Sequence, residues 1–280
     1  MSAPLLPYER EPPAGDWLLG AAAACLLTFD VDAEAPILAE GGHFARDLST
    51  MSHQAYGPRV GVPRILELLR RLEAPATFFV PGLTAERWPR AVEQILEAGH
   101  EVGFHTHAHH PPLKLTPEAE REDFERGLAA LRRVGAEPRG FRASYWQLTQ
   151  AALQALVDHG FTHDLSLMDD DRPYRLRYAG GELAELPVHW LMDDWEQYAF
   201  LPDPPIGTLL RAPERALEVW TAELDAMRRT NSLYVLTAHP FVSGRPSRVE
   251  AIERFVGFAR QCGDVRLDRA ARLADAVLGR

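Results

Sequence analysis

Short, nearly continuous apolar runs alternate along the chain with longer amphipathic segments. The first run, residues 22–29, predicts a parallel strand buried on both faces, because such a strand needs no polar alternation. Residues 62–71 instead place Ile65 and three leucines among charged side chains, which predicts an amphipathic helix. The same reasoning predicts further strands at residues 76–80, 100–104, 141, 186–189 and 233–237. It predicts further helices at residues 84–98, 116–134, 149–159, 213–229, 246–261 and 268–278.

Strands that alternate with helices predict parallel βαβ units, and about seven such units favour a (β/α) barrel. The length of 280 residues fits a single domain of that kind. Several polar residues follow directly after predicted strands, which places them in the carboxyl-end loops where barrel active sites form. These residues are Asp30, Asp32, His105, His109, Arg142 and His239.

Histidines are concentrated in one stretch, where His105, His107, His109 and His110 make up four of the 11 in the chain. His105 and His109 stand four apart, and neutral imidazole is the commonest protein ligand for zinc-like metals. His107 or His110 could replace His109 as a ligand. Because two histidines alone do not hold a metal, a carboxylate or a thiolate from elsewhere is required.

The best source of a carboxylate is the pair Asp30 and Asp32 at the end of the first predicted strand. In extended chain, residues i and i+2 point to the same face, so one acid could bind metal while the other stays free as a base. A second acidic run, Asp169, Asp170 and Asp171, is a competing metal cluster. Three consecutive acids are more typical of a solvated or substrate-facing loop.

Composition narrows the range of partners. The balance of 40 acidic against 30 basic residues gives a formal charge of −10, which disfavours nucleic acid and anionic membrane surfaces. Cys25 and Cys262 are too few for a disulfide framework or a cysteine zinc site. A small-molecule or short saccharide substrate is therefore expected.

The apolar residues 17–29 are too few to span a bilayer, which needs about 20 residues. The segment before them carries Glu9, Glu11 and Asp16 against Arg10 alone, unlike the basic start of a signal peptide. We therefore expect a cytoplasmic protein without a membrane segment. A homo-oligomer is a further expectation.

Five short motifs lie within residues 26–248, each at or near a predicted strand end. They are Thr28-Phe29-Asp30-Val31-Asp32, His105-Thr106-His107-Ala108-His109, Gly140-Phe141-Arg142, Asp194-Trp195 and Leu236-Thr237-Ala238-His239-Pro240. Together they resemble the motifs of the polysaccharide deacetylase family, also called the NodB-homology or carbohydrate esterase family 4 fold. The resemblance implies a distorted (β/α)7 TIM-like barrel, which we expect as one domain over residues 1–280.

The resemblance also implies a ligand set. Asp32, His105 and His109 correspond to the metal-binding residues of the family motifs, and we expect one divalent ion per chain, with zinc as the expected metal. Under this assignment, His107 and His110 are rim or supporting residues.

The catalytic roles come from the same resemblance. It makes Asp30 the general base and Arg142 the residue that orients this carboxylate. It makes His239 the general acid, held by Asp194. Trp195, which follows Asp194, is expected to form a wall of the substrate pocket.

Tyr56 and Tyr145 are further candidates for substrate binding. Tyr56 belongs to the long stretch of residues 33–58 that follows the first strand. A loop of that length at the active end of a barrel is usually a lid or binding loop, and we expect Phe44, His53 and Tyr56 to line a pocket.

The resemblance implies a hydrolase of carbon–nitrogen bonds other than peptide bonds, which removes an acyl group from an amide in carbohydrate metabolism. The D-x-D form of the first motif and the absence of proline after Arg142 resemble an intracellular branch with cyclic imide hydrolase-like and allantoinase-like members. Hydrolysis of a cyclic imide or ureide at the same site is therefore an alternative. A barrel that only binds carbohydrate or metal is another, but it predicts loss of Asp30, Asp194 or His239.

Overall fold

A single sheet organises the computed structural model, which describes residues 6–207 and 210–280. The sheet has ten strands. In chain order they are β1 (Glu9–Glu11), β2 (Ala23–Asp30), β3 (Thr77–Val80), β4 (Glu101–Phe104), β5 (Gly140–Phe141), β6 (His163–Asp164), β7 (Tyr174–Tyr178), β8 (Gly181–Glu185), β9 (Leu233–Ala238) and β10 (Val265–Asp268).

Helices follow most of these strands. They are α1 (Ala35–Glu40), α2 (Leu48–Tyr56), α3 (Val62–Arg71), α4 (Gly82–Arg87), α5 (Pro89–Glu97), α6 (Pro117–Arg133), α7 (Gln150–Asp158), α8 (Trp195–Tyr198), α9 (Pro213–Thr230), α10 (Pro240–Ser243), α11 (Pro246–Gln261) and α12 (Ala270–Leu278). Short 3₁₀ turns cover Gly42–Arg46, Pro112–Lys114, Ser144–Trp146 and Trp190–Met192, and a π turn covers Gly57–Gly61.

The parallel part of the sheet is the barrel wall. Its strands lie side by side in the order β8, β6, β5, β4, β3, β2 and β9. The short strand β10 pairs in parallel with the first half of β2, and β7 and β1 extend the β8 edge in antiparallel fashion. The predicted distorted (β/α) barrel is confirmed, and its parallel strands all direct their carboxyl ends to one rim.

Strand β2 lies at the centre of the core because it is covered on both faces. All eight of its residues are buried, which is the pattern expected of an uninterrupted apolar run in a parallel sheet. Phe29 stacks on Phe78 of β3, with ring centroids 5.0 Å apart. The rigid packing around this strand fixes the direction of Asp30 at its end and of Asp32 two residues later.

Three predicted elements are wrong. The helix expected over residues 84–98 is two helices, because Trp88 leaves helical geometry at φ −128° and Pro89 starts α5. Thr84 lies inside α4, and its hydroxyl donates to the carbonyl oxygen of Asp32 at 2.8 Å.

The other two errors concern the strand expected over residues 186–189 and the start of the last helix. Residues 186–189 do not form a strand. They follow β8, which ends at Glu185, and the neighbouring strand β6 ends at Asp164. The helix expected from residue 268 begins at Ala270, because residues 265–268 pair with β2 as β10.

Residues 33–58 are not an extended loop. They form α1, a 3₁₀ turn, all of α2 and the start of the π turn, and Asp47 caps α2 by accepting from the backbone N–H groups of Ser49 and Thr50. No helix within residues 6–207 or 210–280 is long and apolar enough to cross a membrane.

Candidate metal and catalytic site

The polar residues that follow the parallel strands converge on one cavity at the carboxyl rim. Its volume is about 530 Å³. Asp30 is the last residue of β2, His105 follows β4 directly, and His239 follows β9 directly. Each side chain is buried and reaches the cavity from a different strand. The strand-end placement predicted from the sequence therefore corresponds to one pocket in space.

Asp32, His105 and His109 form a compact group of possible metal ligands. One ligand atom from each lies within 4.8 Å of the others. His105 Nε2 is 3.5 Å from Asp32 Oδ1, and His109 Nε2 is 3.7 Å from Asp32 Oδ2. All three residues are buried. A carboxylate and two imidazoles in this arrangement match the ligand types of catalytic zinc sites.

The unpaired atoms of the same group fit a cation. Within residues 6–207 and 210–280, Asp32 Oδ1 and His109 Nδ1 are buried and find no hydrogen-bond partner. His105 Nδ1 donates to the carbonyl oxygen of Arg142 at 2.6 Å, which leaves the lone pair of Nε2 facing Asp32. The gaps between these atoms are longer than hydrogen bonds. Lewis-basic atoms therefore converge at separations that leave room for a metal ion between them.

Asp30 is held by a buried arginine. Arg142 Nη1 donates to Asp30 Oδ1 at 2.6 Å, and Arg142 itself is fully buried with its guanidinium over the ring of Phe79. Burial alone would raise the pKa of Asp30, but the charge and hydrogen bond of Arg142 together with the charges of His105 and His239 outweigh burial and lower that pKa. Asp30 Oδ2 stays directed at the ligand group, 3.9 Å from His105 Nε2.

His239 is oriented by a buried carboxylate. Its Nδ1 donates to Asp194 Oδ1 at 2.7 Å, and its backbone N–H donates to Asp194 Oδ2 at 2.9 Å. Burial disfavours the imidazolium, but the Asp194 carboxylate overcomes this and raises the pKa of His239 well above its usual value. The other nitrogen, Nε2, points into the cavity and lies 3.6 Å from Asp32 Oδ2.

Asp193, next to Asp194, is a site residue that the sequence analysis missed. It is buried, lines the cavity, and accepts from the backbone N–H of Trp195 at 2.8 Å. Burial raises the pKa of Asp193 to about 8. The signal in the sequence was the acidic pair before Trp195. In the structure, Asp193 forms a bridge with Thr237 of β9, and this contact places it beside the site.

Aromatic rings form one part of the cavity wall. The ring centroids of Tyr145 and His109 are 4.9 Å apart, and those of Trp195 and His239 are 5.2 Å apart. The sequence analysis did not assign Trp146 and Trp190 to the site, but they pack against each other at 4.3 Å and complete the wall. The remaining lining residues are Pro36, Glu40, Glu196, Pro204, Pro205, Ile206 and Gly207.

Tyr56 does not belong to the cavity wall, and neither do Phe44 and His53. The Tyr56 hydroxyl donates to the carbonyl oxygen of Gly244 at 3.2 Å, and Arg245 covers its ring. Phe44 is buried beside Ile37 in a small separate cluster. The expectation that these side chains line the pocket is wrong, because helix formation in residues 33–58 turns them toward the neighbouring helices. Pro36 and Glu40 of α1 take that place.

The remaining histidines and the acidic run lie elsewhere. His107 is buried with its Nε2 3.8 Å from Glu86, on the far side of the ligand loop from Asp32. His110 lines a separate, very small cavity. Asp169 accepts from the hydroxyl of Tyr174 at 2.6 Å and pairs with Arg10, so this part of the acidic run attaches the N-terminal strand.

Comparisons of sequence and fold identify known proteins that are similar to this chain. Residues 55–163 match the family described as polysaccharide deacetylase. A peptidoglycan deacetylase of Helicobacter pylori is 28% identical over 90% of this chain and 94% of its own length. An allantoinase structure aligns with a TM-score of 0.81 at 21% identity, covering 95% of this chain and 93% of its own, which shows a shared fold.

A structure from Mycobacterium smegmatis assigned to the polysaccharide deacetylases is more similar. It is 44% identical, covers 96% of this chain and 95% of its own, and aligns with a TM-score of 0.92. The chain therefore belongs to the polysaccharide deacetylase family, a family of hydrolases that act on carbon–nitrogen bonds other than peptide bonds.

Proposed function

We propose that this protein is a metal-dependent hydrolase that removes the acyl group from a small N-acylated amine. The observation that carries the proposal is the meeting of three units in one cavity. They are the ligand group Asp32, His105 and His109, the Asp30–Arg142 pair, and the Asp194–His239 pair. Each unit supplies a different requirement of amide hydrolysis.

Asp32, His105 and His109 would hold one divalent ion, and their two nitrogens and one oxygen fit zinc. When bound, the ion would act as a Lewis acid that polarises the amide carbonyl and acidifies water. The hydrogen bond from His105 Nδ1 to the Arg142 carbonyl fixes the tautomer that leaves Nε2 free to bind.

Asp30 would accept the proton of the attacking water. Its Oδ1 is engaged by Arg142, so the guanidinium fixes the direction of the carboxylate and its Oδ2 faces the ligand group. A general base must lie within hydrogen-bonding reach of the proton it removes, and this carboxylate reaches the cavity floor where water would attack.

His239 would donate a proton to the departing nitrogen. An amide anion is a poor leaving group, so hydrolysis needs an acid on that side of the carbonyl. Asp194 binds Nδ1 and so presents the Nε2–H to the cavity. Asp30 and His239 come from the adjacent parallel strands β2 and β9, whose carboxyl ends lie at the same rim, so a base and an acid face one cavity.

The cavity wall limits the substrate. Among the described lining residues there is no lysine or arginine, whereas Glu40 and Glu196 add negative charge to the catalytic acids. The aromatic faces of Tyr145 and Trp195 offer stacking surfaces for a sugar or another ring. These features favour a neutral or cationic substrate, such as a short N-acetylated amino sugar, over an anionic one.

The cavity is bordered by exposed residues of two segments. Glu40 at the end of α1 lines it, and so do Pro205 and Gly207 of the segment after α8. A cavity of about 530 Å³ bordered in this way suits a small substrate better than a long polymer. The same feature favours a second candidate, hydrolysis of a cyclic imide or ureide, which would use the same base, acid and metal on a compact ring.

A hydrolysis screen tests the proposal. Zinc-loaded protein is given N-acetylglucosamine, short chito-oligosaccharides, cyclic imides, ureides, polymeric chitin and intact peptidoglycan, with Asp30→Asn as the matched inactive control. We expect turnover of at least one small amide by the wild type and little by the control. Faster turnover of a polymer than of every small compound would contradict the size proposal, and equal rates for wild type and Asp30→Asn would contradict the mechanism.

A further inference from the structure

The loop that carries both histidine ligands, residues 105–109, is folded without regular secondary structure. Two of its residues have positive φ angles, Thr106 at 60° and His109 at 56°. Neither is glycine, so this conformation is strained and persists only where surrounding contacts impose it. The source of those contacts determines how firmly His105 and His109 are held in position.

Helix α4 supplies one set of contacts. The backbone N–H groups of Gly82 and Leu83 donate to the carbonyl oxygens of Thr106 and His107, both at 2.9 Å. The Thr106 hydroxyl also lies 2.8 Å from that of Ser144. These contacts satisfy the carbonyl side of the loop and leave its N–H groups to be accounted for.

One carboxylate on α6 supplies the other set. Asp123 Oδ2 accepts from the N–H of His107 at 2.7 Å, and Asp123 Oδ1 accepts from the N–H of Ala108 at 3.1 Å. Both oxygens of one side chain are thus used on two consecutive peptide groups between the ligands. Hydrogen bonds to an ionised acceptor are among the strong ones.

Helix α6 is shaped to bring Asp123 this close. Gly127 lies one turn further along the same face, and a Cβ at that position would stand 2.9 Å from the carbonyl oxygen of Thr106. A Cβ at Gly82 would stand 2.5 Å from the Cα of Gly127. The missing side chains therefore allow α4 and α6 to close on the ligand loop from two sides.

We infer that Asp123 is a positioning residue for the metal ligands, which holds the loop in the strained conformation that directs His105 and His109 at Asp32. The inference rests on the proposed function, since it concerns the same metal group. Asp123 does not line the cavity and contacts neither the ligand atoms nor the substrate space. It acts on the site through the backbone of His107 and Ala108.

Zinc affinity, measured by competition with a chromophoric chelator, tests this inference. Asp123→Asn keeps the shape of the side chain, but it offers one acceptor oxygen and turns an NH₂ group toward an N–H donor. We expect zinc to bind about 10–100-fold more weakly to this variant than to the wild type, as is usual when a residue that supports a ligand is lost. The matched control is Glu122→Gln, an exposed neighbour on the same helix, which should bind zinc as the wild type does.

Two further measurements separate positioning from simple destabilisation. Excess zinc should restore the turnover of Asp123→Asn, and the metal-free variant should have the same far-UV circular dichroism as the metal-free wild type, whereas a general loss of fold would change that spectrum. In metal-free wild type, the amides of His107 and Ala108 should exchange slowly with deuterium although they lie in a loop, and this result does not depend on the variant folding.

Equal zinc affinity of wild type and Asp123→Asn, or rapid exchange of both amides, would overturn the inference while leaving the proposed function in place. A wild type that binds no zinc would instead contradict the proposed metal site itself.

Discussion

Both ends of the barrel bury an acid beside a histidine, but they treat the polar atoms differently. At the amino end, His163 Nε2 lies 3.0 Å from Glu101 Oε1, and Glu101 Oε2 accepts from Thr77 Oγ1 and from the N–H of Ala271. His163 Nδ1 lies 2.9 Å from the Thr162 hydroxyl. At the carboxyl end, Asp32 Oδ1 and His109 Nδ1 have no hydrogen-bond partner among the described residues, and both side chains line the cavity.

This difference separates a structural polar group from a functional one. A buried polar network whose atoms are all paired contributes to a defined fold and leaves nothing to bind a ligand. Unpaired buried atoms cost free energy, and they persist where an ion or substrate completes them. A carboxylate and an imidazole occur at both ends, so the hydrogen bonding of their atoms distinguishes the two sites.

The largest expected effect comes from the proposed base at the carboxyl end. Asp30→Asn should lower turnover about 10²–10⁴-fold, because the amide cannot accept the proton of water, while the metal ligands stay in place. Steady-state rates together with zinc content measure both. The control is the exposed Asp171→Asn, which should leave the rate unchanged. Loss of zinc from Asp30→Asn would mean that Asp30 and Asp32 have exchanged roles.

At the amino end the expected effect is on stability. Glu101→Ala should reduce the free energy of unfolding by about 3 kcal/mol, because it leaves His163 buried without its partner. Urea denaturation measures this loss, and zinc content should not change. Glu97→Ala, which removes an exposed partner of Arg90, should cost far less. A Glu101 variant as stable as the wild type would refute the structural role.

A pH series sharpens the same point. Burial opposes the charge of Glu101, but the hydrogen bond and charge of His163 lower its pKa below the usual 4.5. Since the folded pKa is the lower one, the stabilisation is present above about pH 4.5 and is lost as the pH falls through the folded value. The stability difference between wild type and Glu101→Gln should therefore shrink on acidification, and a difference that grew would contradict the sign.

The smallest expected effect concerns charge at the cavity mouth. An anionic N-acyl substrate should have a KM about threefold higher than a neutral one of equal size, because Glu40 and Glu196 repel it through solvent. The ratio should decrease at high salt and in Glu40→Gln. KM values at two ionic strengths measure it, and a lower KM for the anionic substrate would show that the wall charges do not select.

Much of the scaffold could be predicted from the sequence because the responsible patterns are local. The predicted helices over residues 62–71 and 246–261 have the bounds of α3 and α11. Amphipathic periodicity indicates their extent, and a proline in the first turn marks each start. The paired acids of β2 were recognisable because a buried strand ends in two carboxylates two residues apart.

The rest depended on contacts between distant segments. Strands β7 and β8 carry charged residues and pair antiparallel at the sheet edge, so no apolar run revealed them. Trp146 and Trp190 reach the cavity from segments without a motif, and Asp123 acts from a helix whose sequence looks solvated. Tyr56 was misplaced because a loop was expected where α2 forms.

Metal content in three proteins tests the central claim most directly. Wild type, His109→Ala and His163→Ala are purified under the same conditions, incubated with zinc and dialysed, and the bound metal is counted by elemental analysis. The account predicts about one zinc per chain in the wild type and in His163→Ala, and a severe loss in His109→Ala, because only the carboxyl-end histidine is a ligand. Equal zinc in all three proteins, or loss from His163→Ala alone, would contradict it.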